Sequence, residues 1–192
     1  MKKLMVTLLF LAAMSSFAMA QDFIGIFTDE VGTACDAEFD TPFTDLTVYV
    51  MAYIPSFPDG ITAAEFSIPN IPEDMGYPCG DTDITWATPL VIGDVAFNIS
   101  LAFDAPLYGP FALLGTIEFG MYEQDGCDWI GIDQTMNVLP GVDEGNLVIV
   151  DDAYNIHTVM GGIFTFNCTD VCFCLDGTAT EDVSWSAVKA LF

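Results

Sequence analysis

Three cysteines fall within seven positions in "NCTDVCFC", residues 167–174: Cys168, Cys172 and Cys174. Thiols gathered so closely can ligate a metal, or they can tie this stretch to distant parts of the chain. Structural zinc sites usually pair two CxxC knuckles, and the remaining cysteines, Cys35, Cys79 and Cys127, form no second knuckle. In an exported chain an even set of six is by default three disulfides, with fifteen connectivities open. Cys172 and Cys174 would sit about 6.6–7 Å apart along an extended strand, beyond the usual bridge, so at least one reaches elsewhere. Cys79 in "YPCGD" and Cys127 in "DGCDW" both fall in turns, and a bridge between them would leave Cys35 for the C-terminal cluster.

The remaining catalytic inventory is thin. His157 is the single histidine, and there is no arginine. A Ser-His-Asp triad would have to use His157, but no GxSxG elbow is present, and Ser184 and Ser186 lie in the terminal segment. A lone imidazole in "YNIHTV" reads as a loop or strand-edge residue rather than a base. HExxH, phosphate-loop and dinucleotide motifs are missing as well. Glycoside hydrolysis needs only two suitably placed carboxylates, so a small carboxylate-based glycan hydrolase stays open as the alternative function. Hard-cation binding is the other chemistry that acids supply. Asp29, Glu30 and Asp36 in "DEVGTACDAEFD" and Asp81 and Asp83 in "DTD" are the candidate Ca²⁺ ligands, with Asp151 and Asp152 behind them. None follows EF-hand spacing, and Ca²⁺ is the only cofactor suggested. Asn98 in "NIS" and Asn167 in "NCT" fit the glycosylation sequon, a short motif that recurs by chance.

The segment that carries these groups begins with a leader. Lys2 and Lys3, an apolar run from Leu4 to Ala13, and Ala18-Met19-Ala20 make residues 1–20 a secretory signal peptide. The run is too short for a spanning helix, which needs about 20 apolar residues. The expectation is a secreted bacterial protein, extracellular, periplasmic or at the cell surface, with 21–192 as a single domain. After cleavage only Lys189 opposes 28 acids, which is 1 − 28 = −27 before termini. Such a surface repels nucleic acid and anionic lipid, leaving a protein or a glycan as partner. Disorder is excluded by a hydrophobic fraction of 53% and 16 phenylalanines. Solubility, a salty habitat and Ca²⁺ binding each account for the acidity.

The dominant period is two. In "LTVYVMAYI" (46–54) Leu46, Val48, Val50, Ala52 and Ile54 share one face. In "VAFNISLAF" (95–103) Val95, Phe97, Ile99, Leu101 and Phe103 do so, and in "LLGTIEFGMY" (113–122) Leu113, Gly115, Ile117, Phe119 and Met121. Shorter strands are expected at Phe23–Phe27, Ile61–Ile68, Ile84–Ile92, Leu147–Val150 and Gly162–Asn167, separated by turns such as "SFPDG" and "EQDG". This is the pattern of an all-β, antiparallel β-sandwich of eight or nine strands, with a barrel as the alternative. A short C-terminal helix is expected over 182–192, where Trp185, Val188 and Phe192 form one stripe and Lys189 suits the C-terminal dipole.

The run "GITAAEFSIPNIPEDM", then Trp86, "TPLVIGDVAFNISLAF" and "GPFALLGTIEF", resembles a group of uncharacterised secreted bacterial proteins. Those begin near "GIFTDEVGTAC" and close near "GIFTFNC" with a short helix like "WSAVKALF". The strand order is also similar to cohesin-type, Ig-like sandwiches. The resemblance implies a sandwich fold and transfers no catalytic residue or ligand. The functional expectation is a secreted, disulfide-stabilised, non-catalytic structural or binding module, with Ca²⁺ ordering its acidic loops.

Overall fold

A computed structural model describes residues 21–38, 43–71, 80–121, 134–141 and 147–167. The thirteen strands, in chain order, are β1 Phe23–Phe27, β2 Asp36–Ala37, β3 Asp45–Tyr53, β4 Ile61–Phe66, β5 Gly80–Trp86, β6 Leu90–Asp94 and β7 Asn98–Leu107. They continue with β8 Phe111–Met121, β9 Gln134–Asn137, β10 Val148–Asp151, β11 Ile156–Thr158, β12 Met160–Gly161 and β13 Ile163–Phe166. The first sheet runs β12-β1-β3-β8-β5 and the second β11-β10-β4-β7-β6, while β2-β13-β9 form a smaller third.

The inward faces are the ones alternation demands. Val48, Val50 and Ala52 of β3 are wholly buried, as are Ile117 and Phe119 of β8. Ile61 and Phe66 of β4 and Ile149 of β10 meet them from the second sheet within one continuous core. Phe66 and Trp86 join the two sheets edge to face, with ring centroids 5.8 Å apart. Phe119 meets Phe166 of the third sheet in the same way at 5.4 Å. Each such ring contributes about 1.5–3 kcal/mol by leaving water.

The expected fold class needs correction in three respects. The described chain has thirteen strands rather than eight or nine. It is not purely antiparallel, since β1 pairs with β12 and β13 with β2 in parallel. No helix occurs among the described residues, and 182–192, where a helix was expected, lies outside them. The remaining departures have local causes. The stretch 84–92 is two strands, because the chain leaves the first sheet after Trp86 and enters the second at Leu90. At the corner the buried Thr88 hydroxyl donates to the Ala102 carbonyl and accepts from the Leu90 N–H. A bulge between Val50 and Met51 shifts the β3–β8 register. It turns Leu113 outward, 42% exposed, and buries Leu114 instead. Phe97 sits in the β6–β7 turn and is exposed, where strict alternation would have buried it. That turn requires Gly93, which has φ +95° and stands so close to the Asn98 carbonyl that a methyl group would lie 2.1 Å from it.

A second apolar cluster lies on the outer side of the first sheet. The rings of Phe23 and Phe27 close over Gly25. Phe23 meets Tyr53 at 5.3 Å, Tyr53 meets Phe111 at 4.8 Å and Phe111 meets Phe27 at 5.6 Å. The turn after β1 crosses this cluster, with Gly32 at φ +70° resting on the Phe111 ring.

Candidate functional site

The acids singled out in the sequence do separate jobs. Asp29 is a loop staple: its carboxylate accepts from the N–H groups of Val31, Thr33 and Ala34 and from the Thr33 hydroxyl at 2.8–3.2 Å. Burial pushes its pKa up, but the bonds from Thr33, Val31 and Ala34 outweigh this and leave it below the ordinary value. Glu30 is exposed beside it, and Asp36 is exposed on β2, whose neighbour is β13. Asp81 and Asp83 point outward from β5. β5 and β1 are separated by β8 and β3, three strand spacings or about 14 Å. The five candidate cation ligands therefore do not converge. Among the described residues no three His, Cys, Asp or Glu side chains gather as a metal site.

Cys35 is buried and disulfide-bonded. Its carbonyl accepts from the Thr165 N–H at 3.0 Å, which sets it beside β13. Cys79, Cys127, Cys168, Cys172 and Cys174 lie outside the described residues.

His157, as its sequence context suggested, is a strand residue, on β11. Its Nε2 lies 2.8 Å from the Asp151 Oδ2, and its ring packs on Phe57 at 4.6 Å. The same Asp151 carboxylate accepts from the Asn155 N–H at 2.8 Å and its side-chain amide at 2.9 Å, clamping the β10–β11 turn. These bonds, first from Asn155 and then from His157, lower its pKa from 3.8 to about 2. A depressed carboxylate stabilises the fold above its unfolded value and loses that contribution as pH falls through its folded one. The melting temperature of wild type should therefore exceed that of Asp151→Ala at pH 5. The difference should shrink between pH 3.8 and about 2. A constant difference across that range would count against the clamp.

The sequon at Asn98 is engaged within the sheet, since its amide donates to Glu65 Oε1 at 3.4 Å. Asn167, at φ 52°, ends the ladder through its N–H, which donates to the Ala37 carbonyl at 2.7 Å.

The feature that alternation did not reveal is the outer face of the second sheet. Ala63 and Ala102 make a low floor beside Ser100 and Glu65. Leu90 and Ile92 of β6 form one wall, and Val148, Val150 and Ile156 of β10 and β11 the other. Registry aligns Leu90 with Ala102, Ala102 with Ala63, Ala63 with Val150 and Val150 with Ile156, so the apolar strip crosses all five strands. Leu90, Ile92 and Ile156 are 53%, 66% and 72% exposed. Its signal in the sequence is apolar residues on both faces of a short strand, as in Leu90-Val91-Ile92 and Val148-Ile149-Val150. Glu65 is the single ionisable group in the lining, and its two oxygens accept from Asn98 and from the Ser100 hydroxyl at 3.4 and 3.3 Å.

No protein-family model matches the chain, and no curated protein matches it. Among solved structures it is similar to the sixth cohesin of scaffoldin B from Acetivibrio cellulolyticus, solved in complex with a Cel5 dockerin. That match has 11% identity and a TM-score of 0.49, covering 77% of this chain and 99% of that one. It is also similar to CaCohA2 from Clostridium acetobutylicum, solved in solution, at 13% identity and a TM-score of 0.38, covering 83% of this chain and 94% of that one. Likeness at this level carries no ligand or partner over to the chain. No helix among the described residues is long and apolar enough to cross a membrane.

Proposed function

We propose that the protein is an exported, non-catalytic recognition module that binds a protein across the outer face of its second sheet. The observation that carries this reading is the exposed apolar strip from Leu90 and Ile92 to Ile156. Large side chains left in water along a continuous strip, on a scaffold held by a full core, are what a docking surface requires. The leader at residues 1–20 and the disulfide at Cys35 support export to an oxidising compartment. The five further cysteines fit a framework of three bridges. Hydrolysis by a carboxylate pair gains nothing from the groove, which holds one carboxylate, Glu65, where the chemistry needs two.

The test is a paired capture. Wild type and an Ile92→Ser, Ile156→Ser double variant, both checked for an unchanged fold by circular dichroism, are immobilised and exposed to the proteins of the native secretion. A protein retained by wild type should be lost by the variant by at least about tenfold and should rebind wild type when purified. Equal retention by both would overturn the groove as the binding face.

A further inference from the structure

Charge decides what kind of protein the strip would take. This inference rests on the groove being the docking face. The chain carries 28 acids and 3 basic residues, for a formal charge of −25. Glu65 stands within the strip, opposite Ser100 on one neighbouring strand and Val148 on the other. The Ser100 hydroxyl and the Asn98 amide orient its carboxylate. Asp94 closes the end of β6 beyond Ile92, with its own carboxylate capping the turn through the Ala96 N–H at 2.8 Å.

A partner covering Leu90, Ile92 and Ile156 would also take water away from Glu65. An apolar cover alone leaves that carboxylate poorly solvated, whereas a cationic side chain turns the same desolvation into a charge-assisted contact. A second copy of the chain brings the same acids to the contact and is repelled, as are nucleic acid and anionic lipid. We infer that the partner is a protein presenting a Lys or Arg toward Glu65 from within an apolar docking patch. The acidic field steers such a partner to the face, and its association slows as salt rises.

A random peptide library displayed on phage, selected against the full mature chain, tests this while the partner's own sequence is unknown. Enriched peptides are expected to carry Lys or Arg among apolar residues and to be lost on the Ile92→Ser, Ile156→Ser variant. They should bind Glu65→Gln about 10- to 100-fold more weakly, while Glu65→Lys should select Asp or Glu in place of the basic residue. Peptides that need Ile92 and Ile156 but lack a basic residue, or that bind Glu65→Gln as well as wild type, would overturn the inference and leave the groove reading standing. Peptides indifferent to the Ile92→Ser, Ile156→Ser change, or no enrichment at all, would overturn the groove reading and the inference with it.

Discussion

Phe119→Ala is expected to lower the unfolding free energy by about 3–5 kcal/mol, among the largest effects of any single truncation in this chain. Phe119 is wholly buried on β8, the strand between β3 and β5. Its ring also meets Phe166 edge to face, so its loss opens a void where the first and third sheets join. Local collapse is resisted because strands on either side hold the backbone, and the void term then adds to the lost transfer energy. For a chain of this size the melting temperature should drop by roughly 6–20 °C. The informative control is Leu113→Ala on the same strand. Simple alternation puts Leu113 and Phe119 on one face, but the register shift between Val50 and Met51 turns Leu113 outward. Its truncation should change stability by about 0.5 kcal/mol or less. Thermal melts in which the two variants fall equally would contradict the bulge.

Cys35→Ala should cost about 2–5 kcal/mol, from loss of the disulfide constraint and of a buried side chain. Cys35 is 2% exposed and lies between the stapled turn that follows β1 and the start of β2. Its carbonyl is tied to Thr165 of β13, so the disulfide acts where the first and third sheets are sewn together. Reduction of wild type with a strong reductant should lower its melting temperature at least as far. Thiol titration of the denatured, unreduced variant should show one thiol more than wild type. A wild type whose melting is indifferent to reductant would remove the disulfide from the stability argument.

How much of the fold is legible in the sequence varies with the physics. Strands with one apolar and one polar face are readable, because Val48, Val50 and Ala52 repeat with the side-chain period itself. Two features escape: the bulge that reverses Leu113 and the corner at Thr88 that splits one apolar run between two sheets. Both depend on pairing with strands far away in sequence, and local periodicity carries no record of them. The parallel ladders of β12 and β2 are hidden for a further reason, since elements of two residues leave no pattern to detect. Asp29 and Asp151 are visible as acids but not as clamps, because an aspartate that caps its own turn and one that binds a cation share the same letter. The groove is hardest to see: its floor of alanine and serine is inconspicuous until registry sets it beside Leu90 and Ile156.

The arrangement of β5 bears on how the molecule behaves in a crowd of its own kind. β5 is the outermost described strand of the first sheet, and a border strand is where one chain can continue into the next and seed a fibril. Here it alternates Asp81, Asp83 and Thr85 outward, and Glu118 pairs beside Asp83 on β8. Two such borders brought together would stack carboxylate on carboxylate. The molecule can therefore leave a sticky strip open on its second sheet while its first sheet resists end-on polymerisation.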